Sequence, residues 1–200
     1  MLILDRLKGT GQKYYASAEY WNSQWKQRPA TKVSDHAMQA ILNLAGMQDK
    51  TKECIVEIGG GLNPVLDVIR GVIAPDADYI GYDFSEVAQT VNRVQWPWAK
   101  WDVVDVTTGI PLVDEQADFV LSSHLIEHLD DPYQLIEEQL RICKRGGGIA
   151  IVAPVHLYHR EHKQVLTLDS LVGMMKDYAM PVLCYPDARN SEAVVGIIKP

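Results

Sequence analysis

The 200-residue chain is poor in several features that would have decided its class at once. It has three cysteines, an odd number, and Cys54, Cys143 and Cys184 lie far apart in apolar segments, which excludes a disulfide framework or a paired-cysteine zinc site and predicts reduced structural thiols. No apolar run approaches the ~20 residues of a membrane span, and the leading MLILDRLKGTGQ is too short in apolar residues for a signal peptide, so a cytoplasmic location is expected. Basic charge is scarce as well, with 19 Lys and Arg against 26 Asp and Glu for a net −7. Residues 1–34 hold six basic and two acidic residues (+4), leaving 13 basic against 24 acidic (−11) for the rest. An acidic body disfavours broad, salt-driven nucleic-acid binding. Repeats, low-complexity tracts and linkers are missing too, which predicts a single domain over 1–200, with a helical segment at 1–50 and a core at 51–200.

What is present is an alternation of strand-length apolar runs with segments of helical period, the pattern of a parallel sheet covered by helices on both faces. Strands are expected near 54–58, 78–82, 100–105, 118–123, 148–153, 181–186 and 193–199. Ser85 and Thr167 read as helix caps, as do Asp130 and Asp131 together, Pro64 as a first-turn proline, and Gly146, Gly147 and Gly148 as the stop of the helix that Asp130-Asp131-Pro132 opens. Only the short DARNSE separates the last two strands, which predicts an antiparallel hairpin. Ahead of the first strand, Tyr14, Ala18, Trp21 and Trp25 share one helix face, and SDHAMQAILNLAGM forms a second helix.

Residues 57–64 read EIGGGLNP at the join between the first strand and the next helix. Consecutive glycines there imply left-handed backbone or a ligand lying against the main chain. A dinucleotide-binding G-x-G-x-x-G starting at Gly59 needs a third glycine at position 64, which is proline. An acidic residue followed by G-x-G-x-G fits Glu57, Gly59 and Gly61, with Asn63 in the third place, the non-glycine residue that best tolerates left-handed backbone.

With that loop, YIGYDFS ending at Asp83, WDVVDVTTGIPL with Asp105, ADFVLSSHLIEHLDDP and LRICKRGGGIAIVAP, residues 50–155 resemble the class I S-adenosylmethionine-dependent methyltransferases segment by segment. The resemblance implies an α/β fold, a Rossmann-like, doubly wound, seven-stranded and mostly parallel sheet with an antiparallel C-terminal hairpin. It implies S-adenosylmethionine as cofactor and S-adenosylhomocysteine as product. The cofactor-binding residues it carries over are Glu57, Gly59, Gly60, Gly61, Asn63, Asp83, Phe84, Asp105, Val106 and Ser122, with Asp83 on the ribose hydroxyls and Asp105 near the adenine amine. A leading aromatic helix closes over the cofactor in this family, which brings forward Tyr14, Tyr15 and Tyr20, whereas Trp25 reads as packing onto the sheet.

Methyl transfer needs alignment above all, with a base where the acceptor is protonated. His124 and His128 follow the fourth strand and are the candidate catalytic residues, although His128 also reads as a packed helix residue. His156, His159 and His162 follow the fifth, and the expectation is no metal site. The Asn/Asp-Pro-Pro-aromatic turn of base-amine methyltransferases and a Pro-Cys pair are both absent after the fourth strand. The acceptor is therefore expected to be an oxygen, nitrogen or carbon of a small molecule, saccharide, lipid or protein, bulky or carrier-bound because no lid insertion is seen. The oligomeric state stays open. The alternatives are a non-catalytic cofactor-binding module that assists a partner, and an NAD-dependent oxidoreductase.

Overall fold

A computed structural model describes residues 17–27, 33–47, 53–62, 64–155, 162–176, 178, 179, 181 and 192–200, and the backbone of 183–187. Two helices lead the chain, α1 (Ala18–Gln27) and α2 (Asp35–Gly46), the second capped by Ser34, whose hydroxyl accepts the Ala37 amide. There follow β1 (Cys54–Ile58), α3 (Leu66–Val72), β2 (Asp78–Asp83), α4 (Glu86–Gln95), β3 (Lys100–Val103), β4 (Ala117–Ser123), α5 (Pro132–Ile142), β5 (Cys143–Pro154), α6 (Leu168–Lys176), β6 (Leu183–Asp187) and β7 (Glu192–Ile198).

The sheet order is β3-β2-β1-β4-β5-β7-β6. Strands β1 to β5 run parallel, while β7 is antiparallel to both β5 and β6. Successive residues of the central strands feed opposite faces, because strand side chains alternate. Ile55, Phe119, Leu121 and Val152 join Ile41 and Leu44 of α2 and Leu66 and Ile69 of α3. Val56, Val120, Ile149 and Ile151 join Leu135 and Ile136 of α5 and Leu171 and Met175 of α6. Both faces are thereby covered, as the composition requires. The expected α/β doubly wound, mostly parallel sheet with a C-terminal antiparallel hairpin is the one observed.

Ser85 and Thr167 cap their helices as expected, and of the two expected aspartates it is Asp131 that caps α5, through bonds to the Ala88, Ser170 and Tyr133 amides respectively. Two local expectations need correction. Pro64 is not in the first turn of α3: it precedes the N-cap, Val65, and the helix starts at Leu66. The triple glycine does not stop α5, which ends at Ile142; β5 begins at once with Cys143 and runs through the glycines. The reason is a register shift against β4 between Ala117 and Phe119, with Gly146 at φ +72° and a Cβ on Gly147 only 2.7 Å from Cys143 Sγ. The glycines make a kink within a strand rather than a turn before one. The thiols of Cys54 and Cys143 are free and buried, and burial pushes them up to about 11 and about 12. No helix among the described residues is long and apolar enough to cross a membrane.

Candidate functional site

Between β1 and β4 the strand order reverses, and in such sheets the crevice at the carboxyl ends of the strands is where ligands sit. The glycine loop lies there. Gly59 and Gly61 adopt φ +74° and +53°, which only glycine occupies without strain. Glu57, buried at the end of β1, accepts the Val65 and Leu66 amides at 3.0 and 3.2 Å and so ties the loop's exit to the strand. Burial pushes its carboxyl up to about 7, against the lowering effect of those two N–H groups and with a further rise from the Asp83 charge. Each of its two oxygens is thereby engaged by the loop.

Asp83 closes the loop from the other side. One carboxylate oxygen accepts the Gly61 amide at 3.0 Å and the other the Ser85 amide at 2.8 Å. Burial raises this carboxyl too, opposed by the same two donors. Two buried side chains not singled out from the sequence complete the frame: Asn92 donates to the Gly61 carbonyl at 2.8 Å, and Gln89 to the carbonyls of Gly81 and Asp102. Both are polar residues on the inner side of α4 at a spacing of three, a signal open to sequence reasoning.

Of the other expected cofactor residues, Phe84 is half-buried beside Asp83, and Val106 is buried in a short 3-10 turn. Asp105 is exposed and caps that turn, its Oδ1 accepting the Thr107 amide and hydroxyl. Ser122 pairs in register with Ile58, immediately before Gly59, and its buried Oγ has no hydrogen-bond partner among the described residues. Asn63 lies outside the described residues, as do Tyr14, Tyr15, His156 and His159.

Helix α1 roofs the loop. Its Asn22 carbonyl oxygen accepts the Ser85 hydroxyl at 2.7 Å and the Val87 amide at 3.2 Å, which docks α1 on the start of α4. Trp25 stacks on Trp21 with ring centroids 5.3 Å apart, and its ring lies 2.7 Å from where a Gly61 Cβ would be. Trp25 thus packs on the loop rather than on the sheet, while Tyr20 meets Trp21 edge to face.

Past β4, His124 is held at φ +52°, and its Nε2 is 2.9 Å from Glu192 of β7. Burial disfavours its charged form, but the Glu192 hydrogen bond and the Glu127 and Glu192 charges outweigh that and raise its pKa. Glu192 also accepts the Ser34 amide and is held below its ordinary value despite burial, chiefly by the His124 bond. Neither Glu192 nor Glu127 stood out in the sequence, because β7 is more than sixty residues from His124 and strand ends carry acids routinely. His128 sits in the 3-10 turn Ile126–His128, against the edge of Trp21.

A nucleoside with a sulfonium tail needs a bare backbone cradle, an acceptor for its sugar hydroxyls and a polar group deep under its amino-acid end. The left-handed loop, whose Gly59 and Gly61 are faced on the Cβ side by Leu125 and Trp25, the remaining lone pairs of the Asp83 carboxylate and the unpartnered Ser122 hydroxyl supply these, so the residues present fit S-adenosylmethionine.

Comparison with known proteins bears on the same span. The family model described as "Methyltransferase domain" matches residues 56–151. A probable S-adenosylmethionine-dependent methyltransferase of Mycolicibacterium smegmatis is 33% identical over 100 residues, covering 48% of this chain and 34% of that protein. The chain spans about a third of the length of that relative. Among solved structures, the complex between the Trm112 methyltransferase activator and a methyltransferase of Haloferax volcanii matches at TM-score 0.71 and 13% identity, over 90% of this chain and 97% of that one. Burkholderia thailandensis 1,6-didemethyltoxoflavin-N1-methyltransferase, crystallised with 1,6-didemethyltoxoflavin and S-adenosylhomocysteine, matches at TM-score 0.70 and 11% identity, over 90% and 85%. At those identities the structures speak to the fold alone: the chain has the fold of the class I S-adenosylmethionine-dependent methyltransferases and is similar to methyltransferase domains over residues 56–151.

Proposed function

We propose that the chain transfers a methyl group from S-adenosylmethionine to an acceptor entering beside His124. The observation that carries this reading is the Asp83 carboxylate clamped to the Gly61 amide, which joins the glycine loop to the end of β2 where a ribose would lie. In this reading Gly59, Gly60, Gly61 and Asn63 cradle the cofactor, Asp83 and Phe84 hold its sugar edge, Asp105 and Val106 its adenine, and Ser122 its methionine end, while Glu57 keeps the loop in shape. Bound there, the cofactor supplies an electrophilic methyl on sulfur. The protein supplies alignment and a dry roof from Trp21 and Trp25. His124 accepts the acceptor's proton, with Glu192 holding its ring and raising its basicity. In this reading His128, its ring packed edge to face with Trp21, belongs to the wall of the site and His124 takes the proton.

The acceptor belongs to the small-molecule, saccharide, lipid or protein classes, bulky or carrier-bound, and nucleic acid fits the acidic body poorly. The structural likeness to a methyltransferase bound to its activator favours a second reading, in which a partner chain completes the acceptor side or in which the module only assists that partner. The same proposal takes 1–200 as one domain, with 51–200 as a seven-strand core and 1–50 as its helical segment, working in the cytoplasm. The test is transfer of a labelled methyl from S-adenosylmethionine to fractionated cell extract. Time-dependent S-adenosylhomocysteine with label in one fraction is expected, and cofactor binding without turnover in any fraction would overturn the catalytic reading in favour of the module.

A further inference from the structure

We propose that Glu127, His128 and His162 form a site for a divalent transition-metal ion of the zinc class, on the acceptor side of the sheet. The fold delivers the three residues together. Glu127 and His128 are adjacent in the turn after β4, and the segment carrying His162 is pinned to that turn by Lys163 N donating to the Glu127 carbonyl at 2.8 Å and by the Gln164 amide on the Ile126 and Leu129 carbonyls at 3.3 Å. One donor atom from each side chain lies within 4.8 Å of the other two. Glu127 Oε1 is 3.6 Å from His128 Nε2. Neighbouring donors around a tetrahedral zinc with bonds of 2.0–2.1 Å are about 3.3 Å apart, so this pair closes on an ion by a few tenths of an ångström.

A second observation points to a cation independently of the clustering. Glu127 is 1% exposed, and neither carboxylate oxygen has a hydrogen-bond partner among the described residues. The His124 and His128 nitrogens facing it, at 3.9 and 3.6 Å, are too distant to donate. A buried carboxylate left without hydrogen bonds is costly, and charges buried in proteins are paired or ligate metals. Two imidazoles with one carboxylate suit zinc, cobalt or nickel rather than magnesium or calcium, which favour all-oxygen sets. Three protein ligands leave a position open, the arrangement of sites that act on a bound ligand rather than of closed structural ones. That position takes an oxygen donor, water or a hydroxyl-bearing acceptor, whose proton the ion makes easier to lose. The role for the acceptor rests on the methyl-transfer reading, but the metal site does not.

The test is calorimetric titration of chelator-treated full-length protein with Zn²⁺, together with the visible absorption of the Co²⁺-loaded form. One equivalent is expected to bind, and the cobalt spectrum should be that of a tetrahedral or five-coordinate site. Because Glu127→Gln alters a buried position, His162→Ala serves as the second variant, its fold checked by circular dichroism. Each variant should lose at least about 100-fold in Zn²⁺ affinity, beyond the 10–100-fold usual for an outer-shell partner, and should change the cobalt spectrum. Sub-stoichiometric binding, or affinity and spectrum unchanged in His162→Ala, would overturn the site. S-adenosylhomocysteine titrated into the same samples reports separately on the cofactor groove, so failure of the two readings is told apart.

Discussion

Gly61 and Trp25 offer the sharpest check on how α1 meets the loop. Gly61→Ala places a methyl at φ +53°, which costs roughly 1–2 kcal/mol in left-handed strain. The same methyl falls 2.7 Å from Trp25 Cζ2 and 3.0 Å from Cη2, inside the ~3.5–4.0 Å of normal carbon contact, an overpacking worth about 1–3 kcal/mol. Trp25→Ala removes a half-buried indole; half of the ~200 Å² such a ring can bury, at ~25 cal/mol per Å², is about 2–3 kcal/mol. In the double variant the strain remains but the overlap is gone. The two single effects should therefore sum to about 1–3 kcal/mol more than the double effect in urea unfolding. Independent sites add within ~0.5 kcal/mol, so additive losses would refute the packing of α1 on the loop.

Glu57→Gln tests the buried acid at the end of β1. Its folded pKa is raised from 4.5 to about 7, so its stabilising contribution is complete below about pH 4.5 and is lost as pH rises through 7; at about 1.4 kcal/mol per pH unit, the wild type should lose about 3 kcal/mol relative to the variant between pH 4.5 and 8, seen in parallel denaturation series. Parallel curves would contradict this. Glu192→Gln removes the carboxylate that favours the His124 imidazolium, so the His124 ring should titrate at lower pH in proton NMR; an unmoved titration would mean that Glu192 does not set its charge. Gly196→Ala sets a methyl 2.4 Å from Leu44 Cδ2, between β7 and α2, and should cost about 1–3 kcal/mol, a fall of roughly 2–10 °C in Tm by calorimetry. An unchanged Tm would mean that α2 packs elsewhere.

The strands, the caps and the glycine loop were legible in the sequence because each depends on neighbours within a few residues. Ser85, Asp131 and Thr167 announce helix starts by chemistry alone. Less legible was anything set by tertiary contact. The glycines at 146–148 look like a helix stop, yet the pairing of β5 with β4 makes them a kink in a strand. Trp25 reads as sheet packing, and only the docking of Asn22 on Ser85 turns its ring onto the loop. In the candidate site the glycines and Asp83 could be placed by spacing. The pairing of His124 with Glu192 bridges 68 residues, and the burial of Glu127 without hydrogen bonds is a property of packing that no local pattern carries.

The central claim is that the loop at 59–63 and the carboxylate at 83 bind the cofactor. Isothermal titration of the wild type and of Asp83→Ala, each with S-adenosylhomocysteine and with NAD, tests it most directly. The wild type should take up one equivalent of S-adenosylhomocysteine and no NAD, and the folded variant should bind the nucleoside at least about tenfold more weakly, the value of about 1.4 kcal/mol in lost hydrogen bonding. Equal affinity in the two proteins, or a preference for NAD, would contradict the account.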